Sequence, residues 1–286
     1  MAKVYLNTGL IDEQDATIHV TDVGFLYGAG LFETMRCQSG TVFCLDDHLD
    51  RLRFSVARLG FDLSMNNAGL RQAVYQVLEA NQLTDARLRL TVSAGSFSAT
   101  DEKTSPTLLI AATPLQTYPD AYYEKGVLVV LSSHRQNPAD PLAGHKTTNY
   151  FARMLALQAA HQKQAAEALW FTTEGYLAEG CISNVFLVKD GILQTPPLET
   201  PVLAGVARKT VCALALDQKL ILEDKPLNID DLLGADEVFL TNVIMTVLPV
   251  AGIEQHTVNN AQVGPITRQL QEAFRAEIER QCGSLV

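Results

Sequence analysis

Apolar and polar positions alternate with a period of two over residues 86–93 and 106–112, the pattern of half-buried strands. Leu49, Leu52, Val56 and Leu59 instead recur at helical spacing. Asp46 or Asp47 can cap that helix, which is expected to begin at His48, and a second helix is expected over 67–81. Upstream, residues 4–6 and 17–20 read as short strands. Residues 24–30, Gly-Phe-Leu-Tyr-Gly-Ala-Gly, read as a glycine-rich turn into a strand at 31–37, and Gly40 opens a turn into 42–45.

Residues 113–120 hold two prolines between two strand signals and are the best linker in the chain. A small domain over 1–114, a linker at 115–122 and a larger domain over 123–286 follow from it. The second part carries a strand at 127–132 and a helix at 149–164, then a meander of short strands at 168–173, 176–179, 184–188 and 192–195. Further helices are expected at 206–216, 229–233 and 266–281, and further strands at 220–223, 237–240 and 246–250. Strands and helices mix in both halves without regular β-α alternation. That predicts two α+β domains rather than a doubly wound sheet.

Composition narrows the classes. Of the 286 residues 47% are hydrophobic and 19% charged, which fits a globular protein and excludes disorder. A formal charge of -10 repels phosphate backbones and anionic lipids, arguing against nucleic acid or a membrane as the main partner. The five cysteines are widely spread and no Cys/His group has zinc-ligand spacing, so reduced thiols and no metal are expected. Without an apolar leader or a run of about 18 apolar residues, a cytoplasmic protein is expected.

Four segments offer chemistry, each with a plainer alternative. Gly24, Gly28 and Gly30 do not make a dinucleotide fingerprint; such a turn needs no function, or lets backbone approach a ligand. Lys146, in Gly-His-Lys-Thr-Thr-Asn-Tyr, sits between a loop and a helix start. It is either a solvated loop lysine or, if buried, a nucleophilic amine; His145 beside it is either a supporting group or a loop residue. Glu179 ends a short strand before an apolar one, as a turn-edge ion pair or as a buried carboxylate aimed at a partner. Residues 200–208 lead from Pro201 through Gly205 into a helix, a simple junction or a phosphate seat.

Together these pieces resemble the class IV aminotransferases, the fold-type IV enzymes dependent on pyridoxal 5'-phosphate (PLP). The family signature Glu-x-small-x-x-Asn-apolar-aromatic, apolar-x-Thr, apolar-x-Gly-apolar-x-Lys/Arg is met from Glu179 to Arg208, through Asn184, Phe186, Thr195, Leu203, Gly205 and Val206. His48-Leu-Asp-Arg51-Leu, the Lys146 to Tyr150 block and Leu26-Tyr-Gly-Ala-Gly-Leu-Phe-Glu-Thr-Met-Arg36 match as well. The resemblance spans residues 4 to about 255 and implies a small and a large α+β domain in a homodimer.

It also implies roles. Lys146 would hold the PLP aldehyde covalently and later shuttle the substrate proton. Glu179 would face the pyridine nitrogen and Arg51 the phosphate, a planar fork suiting a dianion. The N–H groups of Val206 and Ala207 would cap the phosphate, Leu203 would pack on the ring, and Thr241 and Asn242 would add a second phosphate or substrate contact. Phe32-Glu33-Thr34 resembles the aminodeoxychorismate lyases, in which the Thr34 hydroxyl would relay a proton, and residues 242–250 look more like the lyase than like branched-chain enzymes. Ser93-Ala-Gly95 lacks the arginine of D-amino-acid transaminases. Tyr27, Arg87 and Arg89 are substrate-side candidates; the two arginines share one strand face, whose alternative is a basic edge in water. The expected reaction is elimination of pyruvate from 4-amino-4-deoxychorismate to give 4-aminobenzoate, a step of folate synthesis. The alternatives are a transaminase of D-amino acids, branched-chain amino acids or primary amines, and a non-catalytic PLP-binding protein.

Overall fold

A computed structural model describes residues 1–95 and 106–283. The chain divides into two compact units. The first comprises the described residues within Met1–Gln116, His145–Tyr150 and Ile278–Val286; the second comprises Thr117–Gly144 and Phe151–Glu277.

The first unit is one antiparallel sheet with helices packed on it. Its strands are β1 (Lys3–Leu6), β2 (Gly9–Asp12), β3 (Gly30–Gln38), β4 (Thr41–Val42), β5 (Ala86–Ser93) and β6 (Leu108–Pro114), in the order β2-β1-β6-β5-β3-β4. Its helices are α1 (Val23–Tyr27), α2 (Leu45–Leu59) and α3 (Asn67–Ala80). Strand alternation sorts the faces. Leu31, Met35 and Cys37 of β3 and Leu88, Leu90 and Val92 of β5 join Leu49, Leu52 and Val56 of α2 and Leu70, Val74 and Val77 of α3 in one core. Phe32, Thr34 and Arg36 therefore face the other way, opposite Thr91, Arg89 and Arg87 in register.

Several local expectations change. Residues 17–20 form no strand: the Asp22 N–H bonds the His19 carbonyl at 2.9 Å and closes a turn instead. The glycine-rich segment contains α1, because the Asp22 carboxylate accepts from the Gly24 and Phe25 N–H groups, and Gly28, at φ 70°, ends the helix. α2 starts at Leu45, three residues early. Cys44 precedes it in the left-handed region, so Asp46 and Asp47 lie in the first turn and favour the helix dipole rather than cap it. In the linker, β6 runs on to Pro114 and a helix, α4 (Asp120–Lys125), follows.

The segment around Lys146, expected with the larger domain, belongs to the first unit. It extends the free edge of β3: Leu31 bridges Thr147, the Phe32 N–H donates to the Lys146 carbonyl at 2.9 Å, and the Thr148 N–H donates to the Gly30 carbonyl at 2.8 Å.

The second unit holds α4, β7 (Val127–Gln136), α5 (Phe151–Gln162), β8 (Glu167–Thr172), β9 (Leu177–Gly180), β10 (Asn184–Lys189), β11 (Ile192–Thr195), α6 (Val206–Asp217), β12 (Leu222–Asp224), α7 (Ile229–Leu233), β13 (Glu237–Asn242), β14 (Thr246–Ile253) and β15 (His256–Thr257). α8 (Pro265–Cys282) starts there and gives its last turn to the first unit. The sheet order is β12-β11-β10-β13-β14-β7-β8-β9, with β15 on β14; β14-β7, β7-β8 and β11-β12 are parallel and the other pairs antiparallel. β8, β9 and β13 carry almost only buried residues, the mark of strands covered on both faces. Helices and strands are thus mixed in both units, as an α+β chain requires. No helix among the described residues is long and apolar enough to cross a membrane.

Candidate functional site

In the first unit, Lys146 lies on the sheet face of Phe32. Antiparallel pairing of Thr147 with Leu31 turns Thr147 to the core and Lys146 to the opposite side. Its Nζ stands 4.5 Å from the Phe32 ring centre, the Arg89 guanidinium carbon stands 3.4 Å from the same centre, and Tyr150 meets that ring edge-on at 5.6 Å. Thr34 and Arg89 are register partners on this face, and Arg89 Nε donates to Thr91 Oγ1 at 3.3 Å. Desolvation, with Arg87 nearby, holds Arg89 down to about 10, still protonated at neutral pH. Arg87 is exposed and pairs in register with Arg36. Tyr27, at the end of α1, is 73% exposed.

Glu33 points to the α2 side of the sheet, where it is 1% exposed. Arg51 approaches it with two bonds, Nε to Oε1 at 2.8 Å and Nη2 to Oε2 at 2.5 Å, and His48 Nδ1 bonds Oε2 at 2.8 Å. Burial alone would raise this carboxyl; Arg51 and the bond from His48 outweigh it and hold Glu33 at about 2. Burial pushes the His48 imidazole down, so it is neutral, with Nδ1–H donating to Glu33. Local patterns gave only the faces: Glu33 shares the parity of Leu31 and Met35, and His48 and Arg51 are three apart on one helix face. Glu33 and His48 were nonetheless missed as partners of Arg51. His145 bonds Ser55 through Nδ1 at 2.9 Å and stacks on Phe54, which makes it an anchor of the lysine segment to α2.

In the second unit, Glu179 is 4% exposed. Its Oε1 takes Arg153 Nη2 at 2.5 Å and its Oε2 accepts the Leu203 N–H at 3.0 Å. Asn184 Nδ2 donates to the Leu203 carbonyl at 2.9 Å, so both backbone groups of Leu203 are clamped by side chains. Two residues on, Gly205 precedes α6, and among the described residues no side chain caps the first-turn N–H groups of Val206 and Ala207. A Cβ on Gly205 would fall 2.0 Å from Asn184 Oδ1, so only glycine fits there. Thr241, opposite Asn184 in the ladder, is fully buried, and its hydroxyl has no hydrogen-bond partner among the described residues. A helix start without a side-chain cap and a buried hydroxyl needing a partner suit a phosphate, and a buried carboxylate suits a protonated ring nitrogen. Asn242 is different. Its amide spends both ends on backbone, donating to Ile182 O and accepting from the Ile244 and Met245 N–H groups. Arg153 was also missed; it lies 26 residues before Glu179, with no local spacing to signal it.

The family model described as amino-transferase class IV matches residues 30–253. A protein of Methanocaldococcus jannaschii, provisionally named a branched-chain-amino-acid aminotransferase, is 36% identical over 96% of this chain and 95% of its own. The aminodeoxychorismate lyase of Bacillus subtilis is 34% identical over 96% of this chain and 94% of its own. The structure of a T.th. branched-chain amino acid aminotransferase with pyridoxamine 5'-phosphate superposes with a TM-score of 0.90 at 25% identity, covering 99% of this chain and 94% of that one. The chain belongs to the class IV aminotransferase family. It is a fold-type IV, PLP-dependent enzyme, an aminotransferase or a lyase.

Proposed function

We propose that the protein eliminates pyruvate from 4-amino-4-deoxychorismate to give 4-aminobenzoate. The observation that carries this reading is the pairing of Thr34 with Arg89 on the sheet face where Lys146 meets Phe32. A hydroxyl, a guanidinium and an amine on one face supply a proton relay, a carboxylate clamp and a base. The bound cofactor supplies an electron sink. Lys146 would hold the cofactor aldehyde until the substrate amine displaces it, and its freed amine would then take the proton from the amine-bearing ring carbon. The bond from the ring to the enolpyruvyl oxygen breaks, and its electrons leave with that oxygen. Thr34 or Lys146 returns a proton to the departing methylene, giving pyruvate, and the ring becomes aromatic. Arg89 holds one of the two substrate carboxylates, with Arg87 and Tyr27 at the substrate side. In the first unit Arg51, steadied by Glu33 and His48, would serve the phosphate. In the second, Glu179 would serve the pyridine nitrogen, the N–H groups of Val206 and Ala207 with Thr241 would serve the phosphate, and Leu203 would pack on the ring. In this reading Asn242 supports the backbone rather than the cofactor.

The second reading is transamination. It is favoured by the relatives named as aminotransferases, with Arg89 taking the carboxylate of an amino or keto acid. One assay separates the two: pyruvate and 4-aminobenzoate release from aminodeoxychorismate, against keto-acid-dependent amino transfer from a panel of D-, branched-chain and primary amines. Release without a keto acid is expected. Amino transfer alone would replace the first reading with the second. A cytoplasmic homodimer completes the reading, supported by the exposed Phe25, Leu26 and Tyr27 on the short α1. Light scattering at twice 31.2 kDa tests it.

A further inference from the structure

The turn of residues 180–183 between β9 and β10 has its polar groups taken up from three sides. The Gly180 N–H closes the turn on the Ser183 carbonyl at 2.8 Å, while donors of residues 181–183 go to one buried carboxylate, that of Glu167 in β8, which is 1% exposed. Glu167 Oε1 accepts the N–H groups of Cys181 at 2.9 Å and Ala168 at 3.2 Å; Oε2 accepts the Ile182 N–H at 3.1 Å and the Ser183 hydroxyl at 2.9 Å. Its acceptors go elsewhere: Arg153 donates to the Gly180 carbonyl at 2.8 Å and Asn242 to that of Ile182 at 3.0 Å. A Cβ on Gly180 would lie 2.9 Å from the Glu167 carboxylate and 2.3 Å from Ser183 Oγ, so the turn closes over the carboxylate only with glycine. The two residues that flank the turn, Glu179 and Asn184, are those that clamp the N–H and carbonyl of Leu203.

A buried carboxylate whose four partners are neutral donors costs free energy, and burial pushes the Glu167 carboxyl up. A neutral side chain would avoid that cost. What the carboxylate provides is two oxygens able to gather donors from three consecutive residues. We propose that Glu167 is a positioning residue of the cofactor site: by gathering donors of residues 181–183 it fixes Glu179 and Asn184 relative to each other, and through them the Leu203 backbone and the start of α6. The inference rests on the reading of Glu179 and the α6 start as cofactor ligands.

The test is a double-mutant cycle on PLP binding to the apoenzyme, followed by fluorescence, together with the pH dependence of the cofactor absorbance in the holoenzyme. Glu167→Gln turns an amide NH2 toward donors. It is expected to weaken PLP binding about tenfold or more and to move the absorbance profile in the same direction as Glu179→Gln. In a Glu179→Gln background the same change is expected to add less than about threefold, because coupled residues are not additive. Should Glu167→Gln fail to fold, Ser183→Ala removes one donor and is expected to weaken PLP about threefold to tenfold in the same cycle. Wild-type PLP affinity in the folded variant, or full additivity with Glu179→Gln, overturns the inference and leaves the Glu179 reading standing. A Glu179→Gln enzyme with unchanged affinity and spectrum overturns both.

Discussion

The backbone of Lys146 is tied to β3. The carbonyl of residue 146 and the N–H of residue 148 are fixed to β3, so truncating the side chain leaves those bonds in place. Lys146→Ala is expected to keep its far-ultraviolet circular dichroism and lose the cofactor mass after borohydride reduction. Turnover should fall by about 10²–10⁴-fold from the proton-transfer role alone. A retained adduct would remove the lysine from its role. Glu33 makes a different prediction, about stability. Its carboxyl is held at about 2 against an ordinary 4.5, a difference of roughly 3 kcal/mol. Because the folded value is the lower one, this stability is present above pH 4.5 and is lost as pH falls toward 2. His48 adds to the loss, since a buried neutral imidazole is increasingly disfavoured once pH falls below 6.5. Urea unfolding from pH 7 to 2.5 should show the decline. Glu33→Gln should be less stable at pH 7 and flatter between 4.5 and 2.5; equal slopes would remove Glu33 from the ion pair.

Among elements, β3 carries most of the first unit's chemistry. One parity gives Glu33 to Arg51, the other gives Phe32 and Thr34 to Lys146 and Arg89, and the free edge of the strand receives the lysine segment. That edge depends on Gly30, where a Cβ would fall 2.7 Å from Thr148 Oγ1 and 3.1 Å from the Val92 carbonyl. Gly30→Ala is expected to cost about 1–3 kcal/mol in unfolding free energy. Adding Thr148→Ala should recover part of it, because the nearer obstacle is then gone. The same strand shows what the sequence could disclose. Period-two alternation located β5 and β6 and placed Arg87 and Arg89 on one face, and the helical spacing of α2 put His48 and Arg51 on one side. These are local signals. The pairing of Glu33 with Arg51, the Arg153 contact to Glu179 and the gathering of donors at Glu167 join residues far apart in the chain, and no spacing encodes them. Its place at a strand end singled out Glu179 and the matched motifs gave roles to Glu179 and Leu203, but neither says what holds those residues in place. The starts of α1 and α2 were misread for a smaller reason: Asp22 caps where a bare turn was expected, and Cys44 adopts a left-handed conformation that its residue type does not advertise.

For the whole chain, the first unit is discontinuous. It draws on the lysine segment of residues 145–150 and on the end of α8, where Gln281 Oε1 accepts the Cys44 N–H at 3.2 Å and the Gly283 carbonyl accepts from Gln38 at 2.7 Å. A fragment of residues 1–116 lacks both and is expected to unfold at lower urea than the same residues in the intact chain, read by tryptophan-independent circular dichroism. A matching midpoint would show that the two additions are dispensable. None of the five cysteines is in a disulfide. Five should titrate with a disulfide reagent in denaturant without prior reduction. In the native protein Cys44 should react first, since burial pushes Cys37 and Cys181 up to about 12 and Cys212 up to about 11.

The late contribution of α8 bears on biosynthesis. During translation the β3 sheet can begin to form as soon as its strands emerge, yet Gln38 and Cys44 must wait for residues made some 240 positions later. Until residues 281–283 have emerged, this unit is an intermediate lacking these two contacts, and chaperones would have their longest opportunity to engage it then.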